Sequence, residues 1–162
     1  MTLILFTGEK SSDMKNAQPI RILFVCHGNI CRSPIAEFLF RELARQKGVE
    51  DRFSVASAAT SDEELGNAVY PPARTELARH GISCGGKRAV QLQKSDYEKY
   101  DLILCMEDRN VHNALRILGS DPEGKVRKLL ERNVSDPWYT GDFSTAYRDI
   151  REGCLRLLEE LG

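Results

Sequence analysis

The residues best suited to chemistry lie in one short segment, from Cys26 to Pro34, in which a cysteine is followed six positions later by an arginine. Gly28 and Asn29, inside this segment, tolerate backbone angles that other residues resist. Ser33 is a favourable N-cap, and Pro34 is preorganised for the first position of a helix. The segment therefore predicts a tight loop that leads from a strand into a helix capped by Ser33.

A loop of this kind can bind a phosphate-sized anion, because the backbone N–H groups at the start of a helix point toward one position. The same N–H groups and the helix dipole would stabilise a Cys26 thiolate. The planar guanidinium of Arg32 can hold two phosphate oxygens. A thiolate beneath a bound phosphoryl group is a nucleophile for covalent phosphoryl transfer. The cysteine–arginine spacing alone is a weak motif, so the hypothesis depends on the strand and helix signals around it.

The elements that must position this loop are predicted by the hydrophobic pattern. An apolar run at 20–25 predicts a buried strand, and further strands are expected at 53–58, 102–106 and 126–129. Helices are expected at 34–47, 71–80, 95–100, 108–118 and 143–161. Strands that alternate with helices predict a single α/β domain, in which a four-stranded parallel sheet carries helices on both faces. Ligands of such sheets bind beyond the carboxyl ends of the strands, where the Cys26 loop would lie if the first strand is central.

Composition narrows the classes of function. With 162 residues, 41% hydrophobic and 29% charged, the chain suits one domain with a substantial core. A net charge of -1 gives no reason to expect nucleic acid or an anionic membrane as a partner. No apolar run is long enough to span a bilayer, and the run at 3–6 is too short for a signal-peptide core. Five cysteines, an odd number, favour reduced thiols and a cytoplasmic protein.

Two further expectations concern the ends of the domain and its cofactors. Residues 1–19 lack a clear period and are polar before Pro19, so they are expected to form a mobile N-terminal extension. Residues 20–162 are then the folded domain. No cluster of cysteine and histidine has the spacing of a zinc site, so no metal is expected.

From about residue 20 to the C-terminus, the chain resembles the low-molecular-weight protein tyrosine phosphatase family. The segment from Cys26 to Ser33 fits the phosphate loop of that family position by position, and the segment from Asp136 to Tyr139 fits its general-acid loop. Segments 57–61 and 104–106 are similar to inner segments of the family. Two separated motifs in the same order are far more specific than either alone. The resemblance implies a flavodoxin-like parallel-sheet fold, no cofactor or metal, and a cysteinyl-phosphate intermediate.

The resemblance also implies a reaction. The chain is expected to hydrolyse phosphotyrosine in proteins, and small aryl phosphates, with inorganic phosphate as product or inhibitor. Cys26 is the expected nucleophile, Arg32 the group that binds phosphoryl oxygens, and Asp136 the general acid, with Pro137 holding the backbone of Asp136 extended. The residues expected around the phosphate are His27, Gly28, Asn29, Ile30, Cys31, Arg32 and Ser33.

The substrate cleft implied by the resemblance has two walls. Trp138 and Tyr139 are expected on one side, where an aromatic ring can pack. Glu63 is expected on the other side, at a position where relatives often have an aromatic residue. A carboxylate there cannot stack on a ring and would repel acidic peptides. Relatives also commonly carry histidine, which supports the loop asparagine, where this chain has Lys87, and arginine where it has Val90.

Three other functions remain open on the sequence. Protein-arginine phosphatases of this family tend to carry threonine where this chain has Ile30, and a smaller loop after the Asp-Pro pair. Related arsenate reductases use extra cysteines, including one at the position of His112. A phosphate-binding regulator without catalysis would usually lack the nucleophile or the acid. Phosphotyrosine hydrolysis is therefore the preferred prediction.

Overall fold

A four-stranded parallel sheet forms the centre of the structure, a computed structural model that describes residues 18–162. Most of the N-terminal extension expected at 1–19 therefore lies outside the described residues. The strands are β1 (Ile20–Cys26), β2 (Phe53–Ala59), β3 (Leu102–Cys105) and β4 (Val126–Lys128). Their order in the sheet is β2-β1-β3-β4, and every neighbouring pair is parallel. The predicted four-stranded parallel sheet is thus confirmed, with β1 in an interior position.

Helices follow the strands as the alternating pattern predicts. They are α1 (Arg32–Gln46), α2 (Pro71–Arg79), α3 (Asp96–Lys99), α4 (Asp108–Leu118), α5 (Pro137–Thr140) and α6 (Phe143–Leu161), with a 3₁₀ turn at Glu50–Arg52. The bounds of α4 and α6 agree with the prediction to the residue. The 3₁₀ turn and the four-residue helix α5 were not expected, because one turn of helix is too short to show a hydrophobic period.

The two faces of the sheet build two layers of core, because successive side chains of a strand point to opposite faces. On one face, Ile22 and Phe24 pack with apolar residues of α1, α2 and α6. On the other face, Leu23 and Val25 pack with apolar residues of α4. All four of these β1 side chains are almost fully buried. The central strand is therefore covered on both faces, which fixes the position of the loop that follows it.

The start of α1 differs from the prediction. The helix begins at Arg32 rather than Pro34, and its N-cap residue is Cys31, which makes no side-chain capping bond. Ser33 is therefore not the N-cap. Its hydroxyl lies instead within hydrogen-bond distance of Cys26 and Asn29. Pro34 is still tolerated, because the first turn of a helix needs no internal N–H donors.

Residues 18–162 include no helix with both the length and the apolar character needed to cross a membrane.

Candidate active site

The loop between β1 and α1 lies at the carboxyl end of the sheet and is tied to the neighbouring segments by backbone hydrogen bonds. The N–H groups of Thr60 and Ser61 donate to the carbonyls of Cys26 and His27, at 2.9 and 3.0 Å. Farther along the loop, the N–H of Tyr70 donates to the carbonyl of Ile30 at 2.9 Å. The loop is thus held by the segment of chain that follows β2.

The sulfur of Cys26 lies at the base of this loop, in the place predicted for a nucleophile. Cys26 is 3% exposed. The backbone N–H of Asn29 donates to its Sγ at 3.3 Å, and the Ser33 Oγ lies 3.0 Å from the same sulfur. The Asn29 N–H thus donates to the sulfur, and the Ser33 hydroxyl is placed to donate to it as well whenever the sulfur is ionised.

Asn29 gives the loop its shape. It adopts a left-handed backbone conformation with φ of 60°, which asparagine tolerates better than most residues. Its Nδ2 donates to Ser33 Oγ at 2.8 Å and to Ser57 Oγ at 3.0 Å, while its Oδ1 accepts the N–H of Val90 at 3.0 Å. Both donor positions and one acceptor position of this buried amide are therefore used, so Asn29 connects the loop, β2 and the segment at 90.

The side chain of Lys87 makes no hydrogen bond to Asn29. Its Nζ instead donates to the carbonyl of Ser57 at 2.9 Å and lies 3.8 Å from Oε1 of Glu37. Burial lowers the pKa of Lys87 below its ordinary value, and the charge of Glu37 opposes that effect. Lys87 therefore supports the loop indirectly, through Ser57 and Glu37.

The guanidinium of Arg32 is almost fully buried and is fixed from two sides. Its Nη1 donates to Glu107 Oε2 at 2.6 Å and to the carbonyl of Val134 at 2.8 Å. Its Nη2 lies 3.3 Å from Oδ2 of Asp136. Glu107 and Val134 thus hold the guanidinium in place, and the Nη2 edge is directed at the carboxylate of Asp136.

Asp136 reaches the same cleft from a distant part of the chain. Its backbone is extended, with φ of -81° and ψ of 109°, as the following proline requires. The carboxylate also caps α5, because Oδ1 accepts the N–H of Trp138 at 3.1 Å. The expected convergence of Asp136 with the Cys26 loop is therefore present in the structure.

One cleft of about 410 Å³ contains almost all of the predicted site residues. It is lined by Cys26, His27, Gly28, Ile30, Cys31, Arg32, Glu63, Glu64, Arg109, Asp136, Trp138 and Tyr139. Two predicted phosphate-loop residues, Asn29 and Ser33, lie behind this surface and are 1% and 0% exposed.

Burial raises the pKa of the Cys31 thiol, and all five cysteines of the chain are free.

The walls of the cleft differ in character. Trp138 and Tyr139 are 51% and 78% exposed, and the Trp138 ring packs at 4.8 Å from the ring of Tyr70. Glu63 lines the same cleft, and its carboxylate contacts Nε2 of His27. The cleft therefore has both an aromatic and an acidic part of its lining, and the acidic part is attached to the loop by a histidine.

Several site residues were not predicted from the sequence. Glu107, Glu64 and Arg109 contact Arg32 or line the cleft, and Glu37 lies behind the loop. Glu107 and Arg109 lie two and four positions after the last residue of β3, and residues after parallel strands meet at one edge of the sheet. That position was a usable signal for both. Glu37 shows no such signal, because it is one charged residue within an amphipathic helix.

Within residues 18–162, no group of three or more histidine, cysteine, aspartate or glutamate side chains is arranged to hold a metal ion.

Comparisons with known proteins agree with this geometry. A family model described as low molecular weight phosphotyrosine protein phosphatase matches residues 21–162. The low molecular weight protein-tyrosine-phosphatase YfkJ of Bacillus subtilis is 36% identical over 149 residues, which cover 88% of this chain and 96% of the relative. The low molecular weight phosphotyrosine protein phosphatase of Homo sapiens is 37% identical over 155 residues, which cover 86% of this chain and 94% of the relative.

Solved structures are similar over the same region. The crystal structure of Bacillus subtilis YfkJ matches with a TM-score of 0.86 at 35% identity and covers 90% of this chain and 96% of that chain. The crystal structure of a Drosophila arginine phosphatase matches with a TM-score of 0.79 at 26% identity and covers 87% of this chain and 97% of that chain. The same architecture therefore occurs in proteins named for two phosphorylated residues.

Proposed function

Since the chain belongs to the low molecular weight phosphotyrosine protein phosphatase family and is a phosphoric monoester hydrolase, we propose that Cys26 is its nucleophile, Arg32 its phosphoryl-binding group and Asp136 its general acid. One observation carries this assignment. The Asp136 carboxylate lies 3.3 Å from Arg32 in the cleft that also contains the Cys26 sulfur. The three groups needed for phosphoryl transfer thus line one surface.

In the first displacement, the Cys26 thiolate attacks phosphorus in line with the leaving phenol oxygen. Arg32 and the N–H groups of the loop from His27 to Ser33 stabilise the equatorial oxygens as charge shifts in the transition state. Glu107 and the Val134 carbonyl hold Nη1 of Arg32, so the guanidinium needs little reorganisation when phosphate binds. The Nη2 edge pairs with Asp136 in this structure, and it is proposed to bind a phosphoryl oxygen in place of that carboxylate when substrate enters.

Asp136 supplies the proton that the leaving group needs. A phenolate is a poor leaving group, because its conjugate acid has a pKa of about 10. Asp136 then accepts a proton from the water that attacks the cysteinyl phosphate, which releases inorganic phosphate. In this second displacement the Cys26 sulfur is the leaving group, and a hydrogen bond from Ser33 stabilises it.

The substrate side chain is proposed to pack between Trp138, Tyr139 and the wall that contains Glu63. A phosphotyrosine ring suits this space, because its flat face can contact the exposed Trp138 ring. The carboxylates of Glu63 and Glu64 in the same cleft disfavour acidic residues on their side of the phosphotyrosine. His27 offsets part of that charge through its contact with Glu63.

Phosphoarginine hydrolysis is the alternative that the related fold leaves open. Ile30, which lines the cleft, stands where relatives with that activity tend to carry threonine, and the exposed pair Trp138–Tyr139 makes the acid loop large. Arsenate reduction has less support. Cys105 is fully buried in β3, burial raises the pKa of its thiol to about 12, and His112 occupies the place of a relay cysteine.

The cellular setting completes the proposal. The family acts on phosphotyrosine in proteins, so phosphotyrosine-containing proteins are the substrates, and inorganic phosphate is proposed as product and inhibitor. Residues 20–162 are proposed as the phosphatase domain. Five free thiols support a reducing cytoplasmic location, and the near-neutral net charge supports neither nucleic acid nor a membrane as a partner.

Phosphate release from matched peptides tests the proposed substrate. We expect kcat/KM for a phosphotyrosine peptide to exceed that for the matching phosphoarginine peptide by at least roughly tenfold, because only the tyrosine ring packs on Trp138. A phosphoserine peptide serves as the control and should be hydrolysed more slowly still, since its alkoxide is a poorer leaving group. A faster reaction with phosphoarginine would reverse the assignment of substrate.

A further inference from the structure

Arg109 lines the active-site cleft but has no role in the proposed reaction. Its side chain borders the same surface as Cys26, Asp136 and Tyr139. Arg109 is exposed and lies in the first turn of α4, directly after the start of the helix. A cation is electrostatically disfavoured there, because the helix dipole is positive at the N-terminus. The helix itself therefore gives no reason for an arginine at this position, whereas an anionic group that enters the cleft would.

The charge of Arg109 is not neutralised by its acidic neighbours. The carboxylate of Glu107 pairs with Arg32 at 2.6 Å, and that of Asp108 pairs with Lys128 at 3.1 Å. In the part of the chain that the structure describes, no carboxylate lies within ion-pair distance of the Arg109 guanidinium. Its planar set of N–H donors, which matches the geometry of a carboxylate, can therefore bind a ligand.

The strand order places Arg109 and the acidic residues of the cleft on opposite sides of the phosphate loop. Glu63 and Glu64 follow β2, whereas Arg109 follows β3, and β1 lies between these two strands. Neighbouring strands are about 4.8 Å apart, so the ends of β2 and β3 are separated by about 10 Å. The cleft thus has an anionic side, after β2, and a cationic side, after β3.

Backbone hydrogen bonds at the end of β1 agree with this arrangement. From the segment after β2, the N–H of Thr60 donates to the carbonyl of Cys26 at 2.9 Å. From the segment after β3, the N–H of Met106 donates to the carbonyl of Val25 at 3.2 Å. Each flanking segment uses a different carbonyl of β1, so both are attached to the strand that carries the loop.

We propose that Arg109 is a specificity-determining residue, which binds an acidic side chain of the substrate protein one or two positions from the phosphotyrosine. The inference rests on the proposed function, because it concerns how a phosphotyrosine segment lies in this cleft. Glu63 and Glu64 repel acidic side chains on the other side of the loop. The favoured substrates are therefore acidic on one side of the phosphotyrosine and not on both.

The length of an extended peptide fits the separation of the two sides. An extended chain advances about 3.4 Å per residue, so the residues two positions before and two positions after the phosphotyrosine are about 14 Å apart. Their side chains point to the same face as the phosphotyrosine, because side chains alternate along an extended chain. One flanking side chain therefore reaches the cationic side of the cleft and the other reaches the anionic side.

The test compares kcat/KM for three phosphotyrosine peptides that differ only in their flanks. One has two glutamates directly before the phosphotyrosine, the second has two directly after it, and the third has alanines in both places. We expect one glutamate peptide to exceed the alanine peptide by about three- to fivefold, as for an exposed ion pair, and the other to fall below it. The favoured flank identifies the direction in which the peptide crosses the cleft. Equal values for the two glutamate peptides would overturn the proposal.

A matched control for Arg109 is available in the same helix. Arg116 is also an exposed arginine of α4, but it lies in the last turn and outside the cleft. Arg109→Gln should reduce kcat/KM for the favoured glutamate peptide to about the value for the alanine peptide. Arg116→Gln changes the net charge equally and should keep the preference. A preference that survives Arg109→Gln, or an equal loss in both variants, would contradict direct binding by Arg109.

Reversal of the charge is the sharpest form of the test. In Arg109→Glu, a peptide with two lysines on the favoured flank should become a better substrate than the glutamate peptide, and added salt should reduce this difference. A continued preference for glutamate would refute the proposal. Hydrolysis of every peptide without any preference would refute only this inference. An enzyme that hydrolyses none of the phosphotyrosine peptides would refute the proposed function itself, so the two failures are distinguishable.

Discussion

Cys26→Ser will lower kcat for aryl phosphates by roughly 10⁴-fold or more, because the serine hydroxyl is a far weaker nucleophile at neutral pH than a thiolate. The substitution keeps the N–H of Asn29 and the hydroxyl of Ser33 around the side chain, so the loop should retain its shape. Steady-state hydrolysis of an aryl phosphate measures the loss. Binding of inorganic phosphate, followed by calorimetry, shows that the site is intact.

A second cysteine provides the control for this result. Cys84 is also buried, but it lies outside the cleft, in a groove near Arg74. Cys84→Ser should therefore retain hydrolysis within a few-fold of the unsubstituted enzyme. Near-normal turnover by the Cys26→Ser protein would exclude covalent catalysis by this residue.

Asp136→Ala will lower kcat by about 10²- to 10³-fold while KM changes little, since a general acid acts mainly in the transition state. The loss should depend on the leaving group. Phenyl phosphate needs protonation of its oxygen more than nitrophenyl phosphate does, so its hydrolysis should fall by a larger factor. Steady-state kinetics with both esters measures this difference, and an equal loss with both would argue against proton donation.

The structural role of Asp136 must be separated from its chemical role, because its carboxylate also caps α5. Asp142 is a matched aspartate six positions later, which caps α6 by accepting the N–H of Thr145 at 3.0 Å. Asp142→Ala should lower the free energy of unfolding but leave kcat unchanged. Asp136→Asn keeps a capping oxygen and should lose activity nearly as fully as Asp136→Ala.

Most of the fold could be predicted because its elements carry strong local signals. Helix α6 has apolar residues from Tyr147 to Leu161 at helical spacing. Strand β1 is an apolar run whose side chains are buried on both faces of the sheet. The predicted start of α1 was wrong by two residues, because Ser33 and Pro34 are good helix-start residues in isolation. In the structure the Ser33 hydroxyl lies instead within hydrogen-bond distance of the Cys26 sulfur and of Asn29. Capping preferences, which consider only the residues at the start of a helix, do not include these contacts.

Site residues that are contiguous in the sequence could be predicted, whereas those that are far apart in the sequence could not be paired with their partners. Cys26 to Ser33 form one motif, and Asp136 stands beside a proline and two aromatic residues. Glu107, by contrast, is 75 positions from the Arg32 guanidinium that it holds, and Ser57 is 28 positions from Asn29. Such pairs arise from the order of strands in the sheet. The position of Glu107 after a strand indicated the edge of the sheet at which it lies, but its partner became visible only with tertiary structure.

The central claim is that phosphate passes through a covalent bond to one sulfur, and rapid acid quenching of the enzyme during turnover tests it most directly. Peptide mass spectrometry after the quench should find one added phosphoryl group on the peptide that contains Cys26, and none in the Cys26→Ser protein. Two results would contradict the account. One is release of phosphate at a normal rate with no phosphoryl group ever detected on Cys26, and the other is a phosphoryl group on a different residue.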